Sequence, residues 1–249
     1  LEEALRVQAQ FFGQGDGFAR AQHGDAQQHV VADLGRLPRA MIAGANGDAA
    51  HRLQRRLDAR EIALVAGISD DLWGIDTADG KVLWHKHFDS TYVPPPPGQG
   101  RGGQTGTLCP GGQLATPAIG PGSAAGKYTA YAVSWDGRLR QINVADGEDL
   151  VQPENFMPPN TKPWSLGLKD GILWTAISQG CGGRPFSFFT YDLRNRKTSA
   201  FLPMGGGLWG RRGVAIDDRG IGYMGTGDGP YAPENKNLGN AIVSVKPDT

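Results

Sequence analysis

Cysteine is nearly absent: the 249 residues contain only Cys109 and Cys181. Neither lies in a CxxC or CxxCH pattern, which argues against a zinc ribbon and a covalently attached haem. Two readings of the pair stay open. They are separate thiols, or, in an oxidising compartment, they form a bridge closing a loop of roughly 70 residues and worth about 4 kcal/mol. Net charge is also missing, since 25 basic residues offset 25 acidic ones. A nucleic-acid binder would carry a basic excess, so that class of partner is set aside. No apolar run reaches the ~18 residues of a membrane span, and no charged-then-apolar signal segment opens the chain.

Residues 1–60 lack Ser, Thr, Lys, Tyr, Trp and Cys altogether. They are dominated by Ala, Gln, Arg, Gly and Asp, and hold His23, His29 and His51. Stretches 1–12 and 49–60 have helix-like composition but no apolar stripe. This segment is expected to stand outside the fold that follows, as a disordered leader or as GC-rich coding sequence read in a shifted frame. A native helical domain is the alternative, and sharp hydrogen-exchange protection across 1–60 would support it.

From Glu61 onward the character changes. The 38 Gly and 17 Pro of the chain punctuate many turns. The phrase DDLWGIDTADGKVLW at 70–84 returns in altered form as DGRLRQINVADGEDL at 136–150. Each copy is a short alternating strand, an Ala-Asp-Gly turn (78–80 and 145–147) and a second strand, and an Asp-Gly turn between alternating apolar residues is a strong hairpin signal. Further strands are expected at 61–68, 129–134, 172–177, 187–192, 213–217, 221–224 and 241–245. Pro/Gly-rich connections are expected at 90–126, which contains Pro94–Pro97, and at 152–163. The four prolines read as a stiff surface spacer.

Comparable hairpin positions fall at Asp76, Asn143, Asp192 and about Val245, spaced 67, 49 and about 53 residues apart. Propeller blades run ~40–50 residues with four strands each. The wider first interval is accounted for by the insertion at 90–126. Residues 61–249 are therefore expected to form an all-β propeller of four-stranded blades, an incomplete ring of about four.

Asp76, Asp79, Gly80 and Trp84 in IDTADGKVLW resemble the tryptophan-docking repeat of the pyrroloquinoline quinone (PQQ) dehydrogenases, roughly Ala-x-Asp-x-x-Thr-Gly-x-x-x-Trp. The likeness is strongest over 205–231, GGGLWGRRGVAIDDRGIGYMGTGDGPY, which looks like the part of those quinoproteins that contributes to the cofactor site. The resemblance implies that Trp209 stacks under the quinone and that Asp228 stands where the family has a calcium-coordinating asparagine. PQQ is planar and carries three carboxylates. A Trp face suits stacking, and Arg211, Arg212 and Arg184 suit the carboxylates. Calcium takes oxygen ligands and acts as a Lewis acid on the quinone carbonyl.

In this reading the chain is a periplasmic or exported quinoprotein-like propeller. It is either a PQQ- and calcium-dependent dehydrogenase of alcohols or sugars working with an electron acceptor, or a non-enzymatic scaffold for protein partners, resembling outer-membrane assembly lipoproteins. Three departures stand against the enzyme. Cys181 falls near the position of the family's calcium-binding Glu, and no Glu occurs between Gly167 and Pro230. The vicinal cysteine pair of the alcohol-oxidising members is missing. The match for their catalytic aspartate falls past Thr249.

Gly205-x-Gly207-x-x-Gly210 matches a dinucleotide fingerprint by letter, but a strand and not a helix is expected after it, so this signal is discounted. His85 and His87 share one strand face. They read as a solvated edge in preference to a metal pair. Trp73, Trp135, Trp164 and Trp174 read as blade packing.

Overall fold

The computed structural model describes residues 60–67, 69–89, 115–122, 127–177, 181, 187–201, 206–210, 212–235 and 237–247. The expectations for residues 1–59 and for the proline run 94–97 lie outside these. Among the described residues there is no α-helix. Every strand pair is antiparallel.

Four sheets follow one another along the chain. The first is β1 (Ile62–Ala66), β2 (Asp71–Asp76) and β3 (Val82–His87). The second is β4 (Ala118–Pro121), β5 (Tyr128–Val133), β6 (Arg138–Asn143) and β7 (Glu154–Asn155). The third is β8 (Gly167–Lys169), β9 (Ile172–Ile177), β10 (Ser187–Asp192) and β11 (Lys197–Phe201). In the fourth, β14 (Gly222–Gly227) is central. It is flanked on one side by β12 (Gly207–Trp209) and β13 (Ala215–Ile216), and on the other by β17 (Ile242–Val245). A small hairpin, β15 (Tyr231–Ala232) with β16 (Asn237–Leu238), hangs from the β14–β17 connection.

Strand side chains alternate between faces, and here each face meets a different neighbour. Ala130, Ala132 and Ile142 of the second sheet pack with Ile62, Leu64, Leu72 and Trp84 of the first. Tyr131, Val133 and Leu139, on the other face of the second sheet, pack with Leu173, Ile177, Phe189 and Tyr191 of the third. Ile172, Trp174, Ala176 and Phe188 turn the opposite way, onto Leu208, Val214, Met224 and Val243 of the fourth. Antiparallel sheets stacked face to face in chain order are propeller blades. Burial on both sides explains why all six residues of β9 and all six of β10 are buried.

One turn design recurs. The Asp76 carboxylate accepts the Ala78 amide, and the Gly80 amide donates to the Asp76 carbonyl. Asn143 does the same with Ala145 and Gly147. Asp192 accepts from Arg194, and Asp217 from Arg219 and Ile221. These are Asx turns, in which the side chain supplies the hydrogen bond that reverses the backbone. The Ile221 amide, with Arg219 and Tyr223, holds the Asp217 carboxyl down at about 2. Gly80 and Gly147 follow at φ +73° and +78°, the left-handed region that favours glycine.

Trp84 joins the first two blades. Its Nε1 donates to the Val144 carbonyl at 2.9 Å, and its ring lies against both Gly74 and Gly147. The second blade has no tryptophan at the matching place. There Glu154 of β7 pairs with Arg196 in the turn of the third blade and accepts from Gln141 Nε2 at 2.9 Å. Burial, with Glu154 alongside, pushes the Tyr191 hydroxyl up to about 12.

Candidate functional site

Between β1 and β2 the turn carries Asp70, between β5 and β6 it is 134–137, and the segment carrying Asp228 follows β14. The first two touch directly, because the Trp135 amide donates to the Asp70 carboxylate. Trp209 and Asp228 both lie in the fourth blade, at the Gly227 end of β14.

Trp209 is 41% exposed although it sits in a strand. Its cross-strand partner is Gly225, and the next matched pair on its face is Gly207 with Gly227. A Cβ built on Gly207 would lie 2.9 Å from the Trp209 Nε1, and one on Gly227 would lie 3.0 Å from its Cδ1. The indole therefore lies down over a floor of two glycines, and only the absence of side chains there allows it. Trp164 stands beside it, with ring centroids 6.3 Å apart and planes inclined at 49°. Trp164 Nε1 donates to the Leu208 carbonyl at 2.7 Å, which ties the third blade to the strand that carries Trp209. The result is a braced, partly exposed aromatic surface.

Asp228 follows Gly227 directly. It is exposed and sits at φ +58°, so the chain turns sharply after β14. Arg212 is exposed in the loop between β12 and β13. Arg211 and Arg184 lie outside the described residues. Trp209, Asp228 and Arg212 thus share a blade.

The metal expectation named Asp228. Calcium calls for six to eight oxygen ligands. Among the described residues no group of three or more His, Cys, Asp or Glu is placed to hold a metal ion. Cys181 is buried and disulfide-bonded, so its sulfur is not a free thiolate. The described side chains do not by themselves make up a calcium site. His85 and His87 both face one oxygen of Asp71, at 2.8 and 3.1 Å, and His85 stacks flat on Trp73 at 5.0 Å. They are a hydrogen-bonded surface group.

A buried polar cluster that the sequence did not announce lies at the junction of the first two blades. It contains Asp70, Ser134, Asp136 and Arg140. Arg140 Nε donates to the Ser134 hydroxyl at 2.9 Å and its Nη2 to Asp136 at 3.3 Å, and its guanidinium lies 5.1 Å over the Phe88 ring. In the sequence, Asp70 and Asp136 look like ordinary turn residues. Their meeting depends on blade stacking, which no local pattern reports.

No family model matches the chain, and no curated protein matches it. The chain resembles many solved structures, and three of them, all at low identity, are described here. The first is BamB from Moraxella catarrhalis, 13% identical with a TM-score of 0.34, matched over 67% of this chain and 44% of that one. The second is the quinohemoprotein alcohol dehydrogenase from Comamonas testosteroni, 18% identical with a TM-score of 0.49, matched over 76% of this chain and 32% of that one. The third is a europium-containing methanol dehydrogenase, 13% identical with a TM-score of 0.48, matched over 76% of this chain and 38% of that one. The chain spans less than half the length of each.

Proposed function

We propose that this propeller carries a binding platform for a planar quinone, built on Trp209, and that it belongs to a quinoprotein-like dehydrogenase of alcohols or sugars using PQQ. The observation that carries the reading is the indole of Trp209. It is spread over Gly207 and Gly227, braced by Trp164, and left 41% exposed. An aromatic face held in this way offers offset stacking worth about 0.5–1.5 kcal/mol beyond burial. Arg212, in the loop after β12, offers a guanidinium for a ligand carboxylate. Bound PQQ would supply the two-electron quinone chemistry. The residues of this chain would stack it and neutralise its carboxylates. Calcium, with Asp228 as one ligand, belongs to the same reading by resemblance.

A second reading is a propeller scaffold that binds protein partners and no cofactor. The disulfide-bonded Cys181, at the place where a metal-binding Glu would be expected, favours it.

Titration with PQQ, with and without Ca²⁺, separates the two. The platform reading expects quenching of Trp fluorescence, lost in Trp209→Ala and retained in Trp164→Phe. A folded protein that shows no quench with either titration leaves the scaffold reading. Dependence on Ca²⁺ would bring Asp228 back as a ligand, and Asp228→Ala should then remove it.

A further inference from the structure

The turns that close the β2–β3 and β6–β7 connections are built alike. In the first, the Thr77 amide donates to the Glu61 carbonyl at 3.1 Å and the Asp76 amide to the Lys81 carbonyl at 2.9 Å. In the second, Val144 and Asn143 do the same with Tyr128 and Glu148, at 3.1 and 2.9 Å. Gly80 therefore matches Gly147, and Thr77 matches Val144. Their surroundings differ. Gly147 is buried beneath the Trp84 ring, and the Val144 carbonyl accepts the Trp84 Nε1. Gly80 is exposed, and a Cβ built on it would meet nothing within 4 Å. Among the described residues no donor reaches the Thr77 carbonyl.

The sheet face beside Gly80 is open as well. Ala63 pairs with Ile75 and Val65 with Trp73, as Ala130 pairs with Ile142 and Ala132 with Arg140 in the second blade. Ala130, Ala132 and Ile142 are fully buried, because the first blade stacks on them. Their counterparts lie on the face of the first blade opposite Ile62, Leu64 and Leu72. There Val65 is 44% exposed, and Ala63, Trp73 and Ile75 are half-buried. The third blade shows what the turn residue selects. Arg196 follows Asp192 as Gly80 follows Asp76, and it is held at φ +55° and paired with Glu154 of the second blade. Where the turn carries a side chain, an ion pair makes the joint. Where it carries glycine, as at Gly147, an indole does.

We infer that the open face of the first blade is a docking site for another propeller blade that presents a tryptophan on its outer strand, with the indole laid over Gly80 and its Nε1 donating to the Thr77 carbonyl. The occupant repeats the established joint between the first two blades, shifted by one blade. The inference is independent of the quinone reading, since this face belongs to the first blade and Trp209 to the fourth.

The test uses the whole chain and, as probe, a peptide of residues 71–87, the chain's own tryptophan-bearing hairpin. The peptide is cyclised through a second Asn-Gly turn, because an isolated hairpin is marginally stable. Titration followed by amide NMR should shift Val65, Thr77 and Gly80 of the protein. The indole N–H of the peptide's Trp84 should move downfield as it donates. Replacing that tryptophan by alanine in the peptide should weaken binding about 30-fold, the loss of a buried aromatic anchor. Gly80→Asn in the protein keeps a residue that tolerates positive φ but fills the indole's place, and should weaken binding of the original peptide comparably. No shift at Thr77 and Gly80 of the wild-type chain overturns the inference. So does equal binding of the tryptophan and alanine peptides. Shifts at these amides that grow with the concentration of the chain alone would assign the face to a second copy and overturn the stated occupant. The two peptides on the wild-type chain decide the matter even if Gly80→Asn does not fold.

Discussion

Replacing Trp84 by alanine is expected to cost about 3–5 kcal/mol of stability, the range for emptying a buried tryptophan site. The side chain is 9% exposed and lies between two blades. A Cβ on Gly74 would come within 2.3 Å of its ring, and one on Gly147 within 2.8 Å. The glycines of both blades have thus given up their side chains to make room for one indole. Trp84→Phe should cost less overall. It keeps most of the apolar volume but leaves the Val144 carbonyl without its donor, a loss of about 1–3 kcal/mol for a buried group. A double-mutant cycle separates docking from simple burial. Gly147→Ala is unfavourable for two reasons, its φ of +78° and its collision with Trp84. In the Trp84→Ala background only the first reason remains, so the cost of Gly147→Ala should fall. Denaturant midpoints at constant m-value would measure all four proteins. Equal costs of Gly147→Ala in both backgrounds would mean that the tryptophan is not docked on that turn.

The hairpin phrase that holds Trp84 was legible because its physics is local. An Asx turn, a glycine at positive φ and alternating apolar residues all lie within one short stretch of chain. The expected strands at 129–134, 172–177 and 187–192 appear within a residue as β5, β9 and β10. All-β blades packed in sequence follow from that repetition. The strands that escaped notice are short or glycine-containing, such as β4 (AIGP), β8 (GLK) and β12 (GLW). Such segments have weak β-propensity and are held by their neighbour strands. The strand expected at 213–217 shrinks to Ala215–Ile216 for a similar reason, since Gly213 sits at φ +84° against the Ser165 backbone.

At the candidate site, Trp209 stood out by its motif, but its glycine floor became evident only once β12 was paired with β14. Glu154 and Arg196 are 42 residues apart, and Asp70 and Trp135 are 65 apart. Contacts of that reach depend on the order in which blades stack. No window of sequence carries them.

Loss of the disulfide should be the other large effect. Cys181 is 2% exposed and disulfide-bonded, and the chain's only other cysteine is Cys109. A bridge between these positions closes a loop of roughly 70 residues, and restricting that loop in the unfolded chain is worth about 4 kcal/mol. That loop includes the whole second blade and the first two strands of the third. The cross-link therefore acts on the two blades joined by the Glu154–Arg196 pair, where no docked tryptophan contributes. Cys181→Ser is expected to lower the unfolding free energy by about 4 kcal/mol without reductant. With reductant present through the unfolding transition, wild type and variant should converge, because the wild type then unfolds to the same open chain. A native wild type that yields two reactive thiols on denaturation without reductant would refute the bridge. A bridge with no effect on stability would show that the unfolded chain already holds these residues close together. A sulfur committed to a cross-link is not free to bind a metal, so a stabilising bridge at Cys181 means that this residue serves to hold the blades together.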